Sequence, residues 1–86
     1  MEILTNKSNK REFLVRAHIV ICASTPNFTL EDVYKRMRLT CDKTVSFETI
    51  QDSVDVLMKY LMDAGWISKV NENEYVNHLT EKESTI

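Results

Sequence analysis

The sequence predicts an α+β fold, mainly helical, with three helices and a C-terminal β-hairpin. Three observations predict it. The run from Ser46 to Ile67 reads as one long amphipathic helix, ended by Gly65 and followed at once by a strand. Asn71, Glu72, Asn73 and Glu74 form a polar turn between two short strand-like stretches. The 86 residues hold one Gly and one Pro, too little turn chemistry for a β-sandwich.

The elements follow in chain order. Residues 1–8 form an N-terminal arm, in which Ile3 and Leu4 fit either a short strand or a docking segment. Helix 1 is expected from about Asn9 to Ser24. On a helical wheel Phe13, Ala17, Val20 and Ile21 share a core face, while Val15, Ile19 and Cys22 form a second apolar face. A helix apolar on two sides needs a cover on each. Either the arm lies over the second face or another copy of the chain does. A homodimer through Val15, Ile19 and Cys22 is the expectation.

Ser24, Thr25, Pro26 and Asn27 read as a turn, because Pro26 cannot continue a helix. Thr29 is a candidate N-cap with Asp32 three residues on, and Phe28 and Val33 have hydrophobic-staple spacing. Helix 2 is therefore expected from Leu30 to Arg38, with Leu30, Val33 and Met37 inward. A connection from Leu39 to Thr44 follows, and Val45 is expected in a very short strand. Ser46 caps helix 3. Its core stripe is Ile50, Val54, Leu57 and Leu61, flanked by Phe47 and Met58. Asp55 and Lys59 have the spacing of an i, i+4 ion pair. Gly65 suits a left-handed position just past the helix end. The strands are expected at Trp66–Val70 and Tyr75–Leu79, with a flexible tail over residues 80–86.

Composition bounds the class. Apolar residues make up 43% and charged residues 28%, an ordinary globular mixture. A chain of this length supports one domain, placed at residues 9–79. The formal net charge of −2 contrasts with the basic balance usual in nucleic-acid binders. Cys22 and Cys41 fit reduced thiols and a cytoplasmic location. No apolar run is long enough to span a membrane, since Arg16 and His18 interrupt the stretch from Phe13 to Ala23.

The order of three helices and a hairpin, with the junction Leu57, Leu61, Gly65, Trp66, Ile67, resembles the winged helix-turn-helix DNA-binding superfamily. In layout it is similar to small repressor domains of the PadR, MarR and ferric-uptake-regulator types. The resemblance covers Asn9 to Leu79. It implies a winged helix-turn-helix with three helices and a C-terminal β-hairpin wing. It places helix 3 in the DNA major groove and the wing on the flanking backbone or minor groove. Those repressors usually carry Thr where Ser53 stands, and often Tyr or Arg where Asp55 and Val56 stand.

The resemblance makes a small DNA-binding transcriptional regulator the first functional expectation, with duplex DNA as partner. Backbone contacts would come from Arg36, Arg38, Lys43 and Lys69, and base readout from Thr49, Gln51 and Ser53. Lys35, together with Lys7, Lys10, Arg11 and Arg16, could extend a phosphate-gripping rim. The alternative is a winged-helix protein-interaction module, an adaptor or inhibitor that binds no DNA. It is suggested by the outward face of helix 3, where Glu48, Asp52, Asp55 and Asp63 oppose Lys59 alone. Such a face meets phosphates unfavourably. Thr49, Ser53, Val56 and Tyr60 form its flank, which a neighbouring element would be expected to cover.

No enzyme is expected. The single glycine excludes a glycine-rich phosphate loop. No nucleophile turn is present, and no cofactor is implied. His18 and Cys22 share a helix face, but Cys41 and His78 are the only further candidates and their spacing does not suggest a metal site.

Overall fold

A computed structural model of the chain describes residues 3–24 and 26–78. The described residues form three helices: α1 (Lys10–Cys22), α2 (Leu30–Leu39) and α3 (Phe47–Asp63). Three short strands join them: β1 (Asn27–Phe28), β2 (Ile67–Lys69) and β3 (Tyr75–Asn77). The architecture is α+β and mainly helical, with one small antiparallel sheet. The expected tail over 80–86 and the expected strand end at Leu79 lie outside the described residues, as do Met1 and Glu2 of the arm.

Each helix starts where a short polar side chain satisfies an orphan backbone donor. The Asn9 carboxamide oxygen accepts from Glu12 N at 2.8 Å, Thr29 Oγ1 from Asp32 N at 3.2 Å, and Ser46 Oγ from Thr49 N at 3.2 Å. Each cap is worth about 1 kcal/mol. α1 is shorter than expected: Ala23 caps it and Ser24 leaves the helix, with Ser24 Oγ turned back onto Val20 O at 3.0 Å.

The stripe of α3 is buried as its periodicity predicts. Ile50, Val54, Leu57 and Leu61 lie in the core with Met58, facing α1, α2 and β2. Burying one such side chain contributes about 1.5–3 kcal/mol. From α1 the same core receives Phe13, Ala17, Val20 and Ile21, and from α2 Val33 and Met37. Leu30, expected inward, packs against this core while remaining half-buried.

The third strand of the sheet is β1, where the sequence suggests a turn, rather than a strand at Val45. The sheet order is β1-β3-β2, so β3 is central and antiparallel to both neighbours. Asn27, expected in a turn, instead pairs with Val76, and Phe28 with Tyr75. The Phe28 and Tyr75 rings stack at 5.8 Å between centroids. Asn77 fixes the sheet to α1. It is 1% exposed, and its amide donates at 2.9 Å to Ile21 O, a carbonyl at the helix end that also accepts from Ser24 N.

Val45, expected in a strand, is a buried residue of an irregular connection. The backbone pairing in this region belongs to the arm. Leu4 forms a parallel bridge with Cys41, its N–H reaching Thr40 O at 2.9 Å and its carbonyl accepting from Asp42 N at 2.8 Å. Leu4 is buried, so the arm docks over the α2–α3 connection. Ile3 remains exposed beside Val15 and Ile19, in a groove that the arm borders and does not fill.

Candidate functional site

Helix α3 positions most of the residues for which the sequence suggests a role, and its two ends are held differently. At the C-terminal end Gly65 adopts φ +78°. Its N–H bonds to Met62 O at 3.1 Å, and Trp66 N bonds to Leu61 O at 2.9 Å. This crossed pair is a Schellman turn, and it delivers Ile67 into β2. At the N-terminal end the fastener is a side chain. The Arg38 guanidinium donates to Val45 O at 2.7 Å and also to Asp42 O. Asp42 in turn accepts from the Thr44 N–H at 2.8 Å and from the Thr44 hydroxyl. Those Thr44 hydrogen bonds hold the Asp42 carboxyl below the usual carboxylate range, with a smaller contribution from the Arg38 charge.

The residues suggested for base readout do not share one face. Helical geometry puts Gln51 about 160° around α3 from Thr49. Thr49 is exposed, its hydroxyl 2.8 Å from Ser46 Oγ. Gln51 is half-buried on the flank toward α2. Ser53 is buried, and its hydroxyl donates to Thr49 O at 2.9 Å within the helix. Its position between Ile50 and Leu57 on the core side was a signal available in the sequence. Thr49 and Ser53 do come together with Lys10, Asn6 and Asp52 around a cleft of about 470 Å³ between the arm and the start of α3.

Of the residues suggested for backbone contact, Arg36, Lys43 and Lys69 are exposed. Arg38 is half-buried and closes the α2–α3 connection, a structural task that its sequence position does not announce. Asp55, expected to pair with Lys59, instead accepts the Tyr34 hydroxyl at 2.5 Å, linking α3 to α2. Burial, followed by the hydrogen bond and charge of Asp55, pushes the Tyr34 hydroxyl far above its ordinary value.

Of the flank of α3 expected to be covered, Ser53 is buried while Thr49, Val56 and Tyr60 are open. Val56 is 50% exposed and Tyr60 67% exposed, next to Asp52, Lys59 and Asp63. The outward surface of α3 is therefore both acidic and apolar. On the suggested dimer face, Val15 and Ile19 are exposed and Cys22 is half-buried. Cys22 and Cys41 are both thiols. Among the described residues no group of three or more His, Cys, Asp or Glu is placed to hold a metal ion, and no helix is long and apolar enough to cross a membrane. No protein-family model matches the chain, and neither curated proteins nor solved structures yield a match.

Proposed function

We propose that this chain is a winged-helix protein-interaction module that docks a basic surface of another protein on the outward face of α3. The exposure of Val56 and Tyr60 beside Asp52 and Asp63 carries this reading. Exposed aromatic and aliphatic groups on a face where acids outnumber the single base, Lys59, suit a protein partner of basic character. A phosphate lattice would meet Glu48, Asp52, Asp55 and Asp63 with repulsion and gain little from Val56. Arg38 is half-buried and donates to the Val45 and Asp42 carbonyls, which occupies the donors a phosphate would need. The succession of three helices and a terminal hairpin supports the winged-helix assignment.

A second reading, the DNA-binding transcriptional regulator, draws support from the exposed Arg36, Lys43 and Lys69 and from Thr49 at the open start of α3. Fluorescence anisotropy with random-sequence duplex DNA separates the two. The interaction module shows no affinity even at low ionic strength. Affinity that grows as salt falls, and that weakens in Arg36→Ala plus Lys43→Ala, would establish the regulator instead. On the protein side, affinity capture from the native host should retain a basic protein on wild type and lose it on Tyr60→Ala and on Asp52→Lys.

A further inference from the structure

The cleft between the arm and the start of α3 is assembled from four stretches of chain. The arm and the α2–α3 connection are tied together beside it, where Asn6 N donates to Thr44 Oγ1 at 3.1 Å. Phe13 of α1 and Val45 of the connection supply its floor, at 4% and 3% exposure. Val56 continues the apolar surface along the α3 side. At about 470 Å³ the cleft falls within the range of small-molecule sites, about 300–1,000 Å³.

Its polar groups are of two kinds. The hydroxyls are engaged within the protein. Thr44 donates to Asp42 and accepts from Asn6 N, and Ser46 Oγ lies 2.8 Å from Thr49 Oγ1. The charges are not engaged. Lys10, the first residue of α1, and Asp52, in the second turn of α3, are the charged groups among the described residues that line the cleft. Both are exposed, and neither forms an ion pair with the other or with another described residue.

The lining is therefore neutral in sum and dipolar. A simple anion would gain Lys10 and be opposed by Asp52, and a simple cation would meet the reverse. A molecule that carries both signs meets each group with its opposite. The first turns of α1 and α3 both border the cleft, and the positive ends of their dipoles favour the anionic group there. The cationic group then falls to Asp52, one turn further along α3.

We propose that this cleft binds a small zwitterion with an apolar side chain, of the α-amino-acid type. Its carboxylate faces Lys10, its ammonium faces Asp52, and its side chain lies on Phe13, Val45 and Val56. The proposal stands whether or not α3 docks a protein. Where both hold, the zwitterion competes with that protein, because Asp52 and Val56 belong to both surfaces.

The test is titration of the isotope-labelled chain with L-phenylalanine, followed by amide chemical shifts. Saturable shifts are expected at Asn6, Lys10 and Thr49, with a dissociation constant of about 1 mM. N-acetyl-L-phenylalanine lacks the ammonium and L-phenylalaninamide lacks the carboxylate. Each should bind about fivefold more weakly, as the loss of one exposed ion pair allows. Lys10→Met should cancel the difference between phenylalanine and its amide, and Asp52→Asn the difference between phenylalanine and its acetyl derivative. A merely structural role for either residue would weaken all three ligands alike. Both positions are exposed, so the variants should keep the wild-type circular dichroism. Three results would overturn the proposal: no saturable shift at tens of millimolar (order of magnitude), derivatives bound as tightly as phenylalanine, or the same shifts produced by sodium acetate alone. Tyr60→Ala, outside the cleft, should leave the titration unchanged while it abolishes capture of a basic protein. Failure of the cleft and failure of the α3 face therefore read out separately.

Discussion

The two ends of α3 are secured by different physics. At the C-terminal end one backbone torsion, Gly65 at φ +78°, turns the chain into β2 through bonds among neighbours in sequence. At the N-terminal end a guanidinium from the preceding helix reaches across the connection to the carbonyls of Asp42 and Val45. The first device is local and depends on a residue type with a single conformational advantage. The second is tertiary, and its residue type serves equally well on an open surface. Glycine at a helix end thus declares its task, whereas arginine does not.

The largest effect should come from breaking the tertiary device. Arg38→Ala leaves the Val45 and Asp42 carbonyls without their charged donor, at a cost of about 2–3 kcal/mol. Arg38→Lys should recover less than half of that, because an ammonium cannot fork between two carbonyls. Urea unfolding measures both. A loss below about 0.5 kcal/mol, the range of ordinary surface substitutions, would mark Arg38 as an independent surface charge and return it to the DNA-facing set.

Breaking the local device should cost less. A side chain built on Gly65 would meet nothing within 4 Å, so the penalty of Gly65→Ala is the torsion alone. For a non-glycine residue in the left-handed region that is about 1–2 kcal/mol. Gly65→Asn should be milder, because Asn tolerates this region better. Equal losses for Ala and Asn would show that something other than φ is at stake there.

The same contrast explains how much of the molecule could be read in advance. The Thr29 and Ser46 caps, the Ile50–Val54–Leu57–Leu61 stripe and the Gly65 turn are all local, and each is found where its pattern predicts. β1 was not legible, because two residues give no alternation and Pro26 reads as a turn. Nor was the arm's bridge to Cys41, which joins residues far apart in sequence. On the candidate surfaces the acidic face of α3 was visible from spacing. The openness of Val56 and Tyr60 was not, since only the packed chain shows which flank lacks a neighbour. The roles of Arg38, and of Asp55 with Tyr34, depend on acceptors and donors supplied by other elements.

A pH titration sharpens the comparison further. The Asp42 carboxyl is held below its ordinary value, chiefly by the Thr44 hydroxyl. A group depressed on folding contributes stability that is fully present above its unfolded pKa. That contribution is lost as pH falls through the unfolded value toward the folded one. Stability should therefore decline on the acid side, below the ordinary carboxylate range. Asp42→Asn should flatten that limb and leave the profile near neutrality parallel to wild type. Gly65→Ala, which involves no charge, should lower the whole curve without changing its shape. An acid limb unchanged in Asp42→Asn would remove the Asp42–Thr44 contact from the account of the N-terminal end.

The smallest effect on folding is expected far from both ends, on the open face of α1. Val15 and Ile19 are exposed there, almost opposite the buried Phe13, Ala17, Val20 and Ile21. Ile19→Glu should change the unfolding free energy by less than about 0.5 kcal/mol, as substitutions at open sites usually do. Its informative readout is mass rather than stability. If copies pair through Val15, Ile19 and Cys22, wild type should sediment as a dimer at tens of micromolar (order of magnitude), and Ile19→Glu as a monomer. The pairing would also make wild-type stability rise with protein concentration, while that of Ile19→Glu stays flat. A wild type that is monomeric and concentration-independent would leave the strip an apolar surface bordered by Ile3 and the arm. A dimer that survives Ile19→Glu would move the pairing surface off this face of α1.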